Sequence, residues 1–369
     1  MTRKKKVMII VFSVLGAVII ALSAVLTAAA IIGRPLKVNP LRKLDGVNED
    51  IQNALWYSSI AANSHNTQMW SVKLYPNENR LQISIDESRV LNVVDSEKRE
   101  AYISLGCYIE TMCVAFGAYG YDTQVNCDDL SVQFTYQKRA NAKVDTAKLS
   151  LIDKRHTDKS AYSSDKIQQE TASAILNKYS DLSLYQNGDE NFDYIKRISM
   201  DAVTVQSANQ AYRDELAQWM RFSDKEAASK LDGITADMIG LKGIVKTFYY
   251  WTTTRENAKG DKFAQQGIDT AKKQLNNCGA FAVMTGGNTI EELINTGRKT
   301  QAFWFDCAEN NIAVQPFSAA LETQPFSSSI QNDLGVTAPV QMILRLGYVD
   351  CYGTNSGLRR NLSEYIEIK

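Results

Sequence analysis

Histidine is scarce in this 369-residue chain, occurring only at His65 and His156. The six cysteines (Cys107, Cys113, Cys127, Cys278, Cys307 and Cys351) form no CxxC. Zinc normally recruits closely spaced Cys/His pairs, so no metal site is expected. Cys107 and Cys113 are spaced to share one helix, and no spacing says which disulfides, if any, would form. Net charge is absent as well, with 41 basic against 41 acidic residues. Four of the basic residues (Arg3, Lys4, Lys5 and Lys6) precede everything else. Without residues 1–33 the chain carries 37 basic and 41 acidic residues, about −4. Such a body has no general electrostatic reason to seek nucleic acid. A hydrophobic content of 44% with 22% charged residues excludes a disordered or fibrous chain.

Charge is missing most conspicuously from Val7 to Gly33, VMIIVFSVLGAVIIALSAVLTAAAIIG. A bilayer core needs roughly 20 apolar residues in helix. Residues 1–33 are therefore expected to form a retained transmembrane anchor. The alternative is a cleaved secretory signal, whose apolar stretch is usually about 7–15 residues, with LTAAA as its cleavage site. No cysteine lies near the end of the run, so a lipid-modified N-terminus is not supported. Arg3 to Lys6 favour a single pass with the N-terminus inside and the body extracytoplasmic, although Arg34, Lys37, Arg42 and Lys43 crowd the far side.

Residues 34–46 read as a tether. Apolar spacing predicts a helix over 47–60 capped by Asn48, and a loop at 61–68. MWSVKLYP and RLQISID then alternate as a strand pair turning at PNEN. Residues 96–120 form a long helix and 131–137 a strand. In the second half, 165–178, 197–224 and 289–311 read as helices, and 270–277 closes another. Residues 279–287 and 339–349 are strands. The order helix, strand hairpin, helix, strand is expected twice, an internal pseudo-repeat. The expected fold class is α+β: lobe 1 over 47–149, lobe 2 over 150–369, and one transmembrane helix before them.

Each histidine lies in a polar cluster. Asn63, Ser64, His65, Asn66 and Gln68 follow a helix and precede a strand, where amides and hydroxyls can read the rim of a flat heterocycle. Lys154, Arg155, His156, Thr157 and Lys159 place cations and a hydroxyl together, suited to a phosphate and a ring carbonyl. Arg359 and Arg360 make a third basic site after the GTNSG stretch at 353–357. Each alone is ordinary turn or helix-start chemistry; their coincidence points to a site.

Ser64, Asn66, Gln68 and Trp70 resemble the PSxxNxQPW segment of nitroreductase-like flavoproteins. Arg155-His156-Thr157 with Lys159 is similar to that family's RxSxR/K segment, and Arg359-Arg360-Asn361-Leu362 to its R-R-P-L ending. Residues 289–316 resemble the helix leading to the segment beneath the flavin. The likeness spans roughly residues 45–369. Here the polar motif precedes the basic one by about 90 residues, as in the fused subgroup in which one chain mimics the family dimer.

The resemblance implies a monomeric pseudo-dimer holding one FMN between its lobes. Asn63, Ser64 and Asn66, with Gln68, would face the ring. Arg155, His156, Thr157 and Lys159 would come from the second lobe, Ser318 from beneath the flavin, and Arg359 and Arg360 would meet the phosphate. Lys159 or Arg155 would stabilise negative charge near N1/O2. NAD(P)H would be the donor, and a nitro- or quinone-like small molecule the acceptor. No side chain is singled out as catalytic. Ala62 and Met69 stand where the family has prolines, and Gln315-Pro316-Phe317-Ser318 lacks its acidic-Gly pair. Thr247 to Trp251 would either cover the flavin as a lid or pack in a core or interface. Two other readings stay open: a flavin-sequestering protein without turnover, and a membrane-anchored interaction module whose motifs are coincidental.

Overall fold

The computed structural model describes residues 3–128 and 131–369, so residues 1 and 2 of the expected anchor lie outside the described residues. In the first half, α1 (Arg3–Ile32) is followed by α2 (Glu49–Ser58), β1 (Trp70–Tyr75), β2 (Arg80–Ile85), α3 (Arg99–Ala118), β3 (Tyr121–Cys127), β4 (Val132–Lys138) and α4 (Thr146–Lys154). Next come α5 (Gln169–Lys178), β5 (Leu182–Gln186), α6 (Glu190–Ala208), α7 (Gln210–Trp219), α8 (Asp224–Lys230), α9 (Gly243–Thr252) and α10 (Asp261–Asn276). The chain closes with β6 (Ala280–Thr285), α11 (Ile290–Glu309), β7 (Ile312–Pro316), α12 (Ala319–Glu322), α13 (Phe326–Asp333), β8 (Val340–Tyr348) and β9 (Ile366–Ile368).

The strands make two sheets, β3-β4-β2-β1-β9 and β5-β6-β8-β7. Read from the opposite edge, the second runs β7-β8-β6-β5, the same order as β3-β4-β2-β1. Each half is thus helix, two strands, helix, two strands, one strand more than the expected repeat. The missed β3 has a row of exposed Asp122, Gln124 and Asn126, so an edge strand carries little apolar signal. The missed β5 and β7 are the two edges of the second sheet. β5 pairs antiparallel with β6 across an insertion, residues 187–279, that carries α6 to α10. The helix expected over 197–224 is two helices. Asn209 breaks it because its side chain accepts from Ala211 N at 2.9 Å and caps α7 instead of continuing α6.

The central helices α3 and α11, one from each half, cross at glycine. Gly106 and Gly297 are each the eighth residue of a 20-residue helix. A Cβ on Gly106 would stand 2.0 Å from Ile294 O, and one on Gly297 would stand 2.0 Å from Ile103 O. The absent side chains let the two backbones touch, and Cys107 Sγ donates to Gly297 O at 3.3 Å across the contact. All six cysteines are free thiols. One hydrophobic core lies under the first sheet and includes Leu55, Trp70, Tyr108, Phe116 and Phe134. It also takes in Leu149 and Ile152 of α4 and, from the C-terminal segment, Leu362, Tyr365 and Ile366. That segment leaves the second sheet after β8 and ends on the first, where β9 runs parallel to β1.

Candidate functional site

A cavity of about 280 Å³ opens where the two halves meet, just under the usual ~300–1,000 Å³ of small-molecule sites. Its wall contains Asn63, Ser64, His65 and Asn66 from the polar loop, and Arg155, His156, Thr157 and Lys159 from the basic motif. Ser318 and Arg359 complete the set of expected residues that line it. Gln68 and Arg360 are not in the wall. They stand behind it: Gln68 Oε1 accepts from Arg360 N at 2.9 Å, and the Arg360 guanidinium donates to the carbonyls of Gln68 (2.5 Å) and Trp70 (3.0 Å).

The polar loop takes its shape from a single 3-10 turn, Ser64–Asn66. His65, Asn66 and Gln68 adopt left-handed backbone angles (φ 48°, 55° and 52°). Asn63 Oδ1 accepts from Gln68 N at 2.9 Å, closing the loop without the prolines it lacks. Asn66 donates to Gly233 O at 3.1 Å and Leu358 O at 3.2 Å, and its Oδ1 accepts from Arg359 Nη1 at 2.9 Å. The loop therefore joins the long insertion to the C-terminal segment.

Positive charge dominates one side. Arg155 and Arg359 are buried, both donate to Ile60 O (2.5 and 3.1 Å), and neither has a carboxylate partner among the described residues. Their Nε–H groups remain unsatisfied. Burial depresses both guanidiniums, Arg155 to about 10, and Arg359 to about 9 with the added repulsion of Arg155. Burial also lowers the Lys159 ammonium, which has no hydrogen-bond or ion-pair partner among the described residues. The Arg155 guanidinium sits 4.9 Å over the Trp304 ring, while Trp304 Nε1 donates to His156 O at 3.2 Å. Buried charges without counter-ions are costly, so this side is built to receive an anion. The chemistry fits a phosphate ester, and the loop amides fit the edge of an attached heterocycle.

The wall also holds two acids that sequence reasoning missed. Glu100, in the first turn of α3, accepts from Ser64 Oγ at 2.6 Å and pairs with Arg99 at 3.0 Å. Glu322, ending α12, accepts from Ser318 Oγ at 2.5 Å and Gln206 Nε2 at 2.8 Å. The two carboxyl groups hydrogen-bond to each other. Burial opposes ionising either one; Arg99 with the bonds from Glu322 and Ser64 keeps Glu100 ionised, whereas burial and the Glu100 charge raise Glu322 well above the carboxylate range. The Glu100 charge thus favours the protonated form of Glu322. His65 lines the same cavity, with Nδ1 buried and unpartnered. Burial brings it down to about 4, against the pull of Glu100 and with the push of Lys159, so it is neutral at pH 7.

The segment between α8 and α9 covers the cavity. Ile234 and Met238 line it, and Leu231 O and Gly233 bond Gln68 and Asn66. Among the described residues the wall includes none of Thr247 to Trp251. They belong to α9, which packs on α1. Of the two alternatives for Thr247 to Trp251, packing against a neighbouring element is the one found, and it is residues of 231–238 that reach the cavity wall.

No protein-family model and no curated protein matches the chain. Among similar solved structures is a nitroreductase-like family protein from Bacillus cereus, 15% identical, covering 63% of this chain and 99% of its own, with a TM-score of 0.33. Another is the FMN-dependent nitroreductase NfnB from Mycobacterium smegmatis in complex with NADPH, also 15% identical, covering 61% of this chain and 100% of its own, with a TM-score of 0.36.

Proposed function

We propose that this chain is a membrane-anchored, FMN-dependent oxidoreductase of the nitroreductase kind. It would take electrons from a nicotinamide donor and pass them to a nitro- or quinone-like acceptor. The observation that carries the reading is the pair of buried, counter-ion-free arginines, Arg155 and Arg359, beside Lys159 and the Asn63–Asn66 loop in one cavity. Arg155 and Arg359 would hold the phosphate, and Asn63, Ser64, His65 and Asn66 would meet the ring edge. Bound FMN supplies two-electron hydride chemistry at its ring. Lys159 stabilises negative charge developing beside it, and Glu322 keeps a proton available within the same cavity. The anchor reading is supported by the hydrogen bond that Thr247 donates to Ala29 O, a contact that cleavage after LTAAA would forfeit.

The test is the visible absorption spectrum of the full chain, purified in detergent with FMN, before and after anaerobic NADPH or NADH. Bound flavin that bleaches supports the reductase, and no bound flavin removes the central reading. Flavin that bleaches only with dithionite moves the reading to sequestration, which the hydrogen-bonded cover at 231–238 favours. Arg359→Gln should weaken FMN binding by about 10–100-fold, since a charged hydrogen bond is worth about 1.5–3 kcal/mol, and should leave riboflavin binding nearly unchanged.

A further inference from the structure

We infer that α9 is a second membrane contact, an interfacial helix whose exposed apolar face lies in the lipid headgroup–acyl boundary beside the emerging end of α1. The inference rests on the anchor reading of α1 and goes beyond it.

The sidedness of α9 is the reverse of a soluble surface helix, which turns its apolar stripe inward and its charge outward. Its inward face is polar. Lys246 is fully buried, ion-paired with Asp237 at 2.8 Å and Asp224 at 3.0 Å, and donates to Arg34 O at 2.9 Å. Buried Thr247 donates to Ala29 O at 2.7 Å. The outward face is Ile244, Val245, Phe248 and Trp251, between 53% and 64% exposed. These positions recur at helical spacing, so they form one row and not scattered apolar residues.

The depth of α9 follows from what it touches. Gly243 N donates to Gly33 O at 2.9 Å, and a Cβ on Gly33 would stand 2.4 Å from Gly243 O, so the end of α1 and the start of α9 are in backbone contact. At 1.5 Å rise per residue, a hydrocarbon core of about 30 Å is crossed by roughly 20 residues from Val7. Ala29 and Gly33 then fall about 5–10 Å further on, at headgroup depth, where amphipathic helices bury their apolar faces. The exposed apolar surface of α1 thus continues onto α9 at the level where tryptophan is favoured. Exposed Arg34, Lys37 and Lys242 flank this level with positive charge suited to anionic headgroups. The occupant that matches position, charge and chemistry is the bilayer that α1 crosses.

Full-length protein reconstituted in vesicles of phosphatidylcholine and phosphatidylglycerol in equal parts, with brominated acyl chains, reads this directly. The Trp251 signal is the difference in emission between wild type and Trp251→Phe. Expected is quenching of that component by lipid brominated near the headgroup end of the chain, weaker quenching by lipid brominated near the terminal methyl, and none by aqueous iodide. Quenching by iodide and not by lipid overturns the inference. So does protection from both together with a cross-linked pair of chains, which would put a second copy on this face. Carbonate-resistant flotation with the vesicles reports α1 separately: if it fails, the anchor reading fails, and if it holds without lipid quenching, only the α9 contact fails.

Discussion

Asp95 replaces a missing helix cap. Lys98 precedes α3 in left-handed backbone and offers no side-chain cap, so the amides of Glu100 (3.0 Å) and Ala101 (2.8 Å) donate to the Asp95 carboxylate. Burial and the charge on Glu100 outweigh those bonds and raise Asp95 to about 6. A raised acid binds its proton more tightly folded than unfolded, so its stabilising contribution is full below about pH 4 and is lost as pH rises through about 6. Urea unfolding across that window should show the slope, worth up to about 3 kcal/mol, and Asp95→Asn should remove it. Glu322→Gln tests the neighbouring pair: an amide cannot yield the proton, so acceptor reduction should fall while FMN binding persists. Equal losses in both would make Glu322 structural. The polar loop and the cations were legible in the sequence because each forms a local run. Glu100 and Glu322 were not, because Glu100 looks like an ordinary first-turn acid until α12 is brought against it from 222 residues further along the chain.

Among elements, the crossing of α3 and α11 depends on two glycines that would each be ordinary helix weakeners elsewhere. Gly117, also in α3, has open space around its missing Cβ. The same substitution should therefore act with opposite sign at two sites. Gly117→Ala should stabilise by about 0.5–1 kcal/mol through helix propensity. Gly297→Ala should destabilise by more than it gains, because the added carbon meets Ile103 O at 2.0 Å and the helices must part. Thermal midpoints of the two variants decide it; equal shifts would mean that the crossing tolerates a methyl. Helices of this length were readable because apolar periodicity accumulates over five turns. The edge strands β3 and β5 were not, since one partner and a half-wet face leave no sustained alternation, and neither was β7, whose five residues are too short a buried run to show a period.

At the scale of the molecule, the C-terminal segment ties the two sheets together and delivers Arg359 to the cavity on the way. The sequence shows the Arg359-Arg360 pair but not this crossing, because β9 is three residues long and is ordered by pairing with β1 and by the burial of Ile366. Val72 N donates to Tyr365 O at 2.8 Å and Lys369 N to Leu74 O at 2.9 Å, in a parallel register of Val72 with Ile366 and Leu74 with Ile368. Ending the chain after Tyr365 deletes that strand and removes no cavity residue from the chain. The tail would then be held by Leu362 and Tyr365 in the first core and by the Arg359 and Arg360 hydrogen bonds. Loosening one end of a closed strap frees its middle, so FMN affinity should fall several-fold along with the thermal midpoint. Adding FMN should recover part of the lost midpoint, as ligand binding stabilises the folded state in proportion to its occupancy. A truncated chain that loses thermal stability but binds FMN as tightly as wild type would show that Arg359 is positioned by Asn66 and Ile60 alone, and that β9 serves only the first sheet.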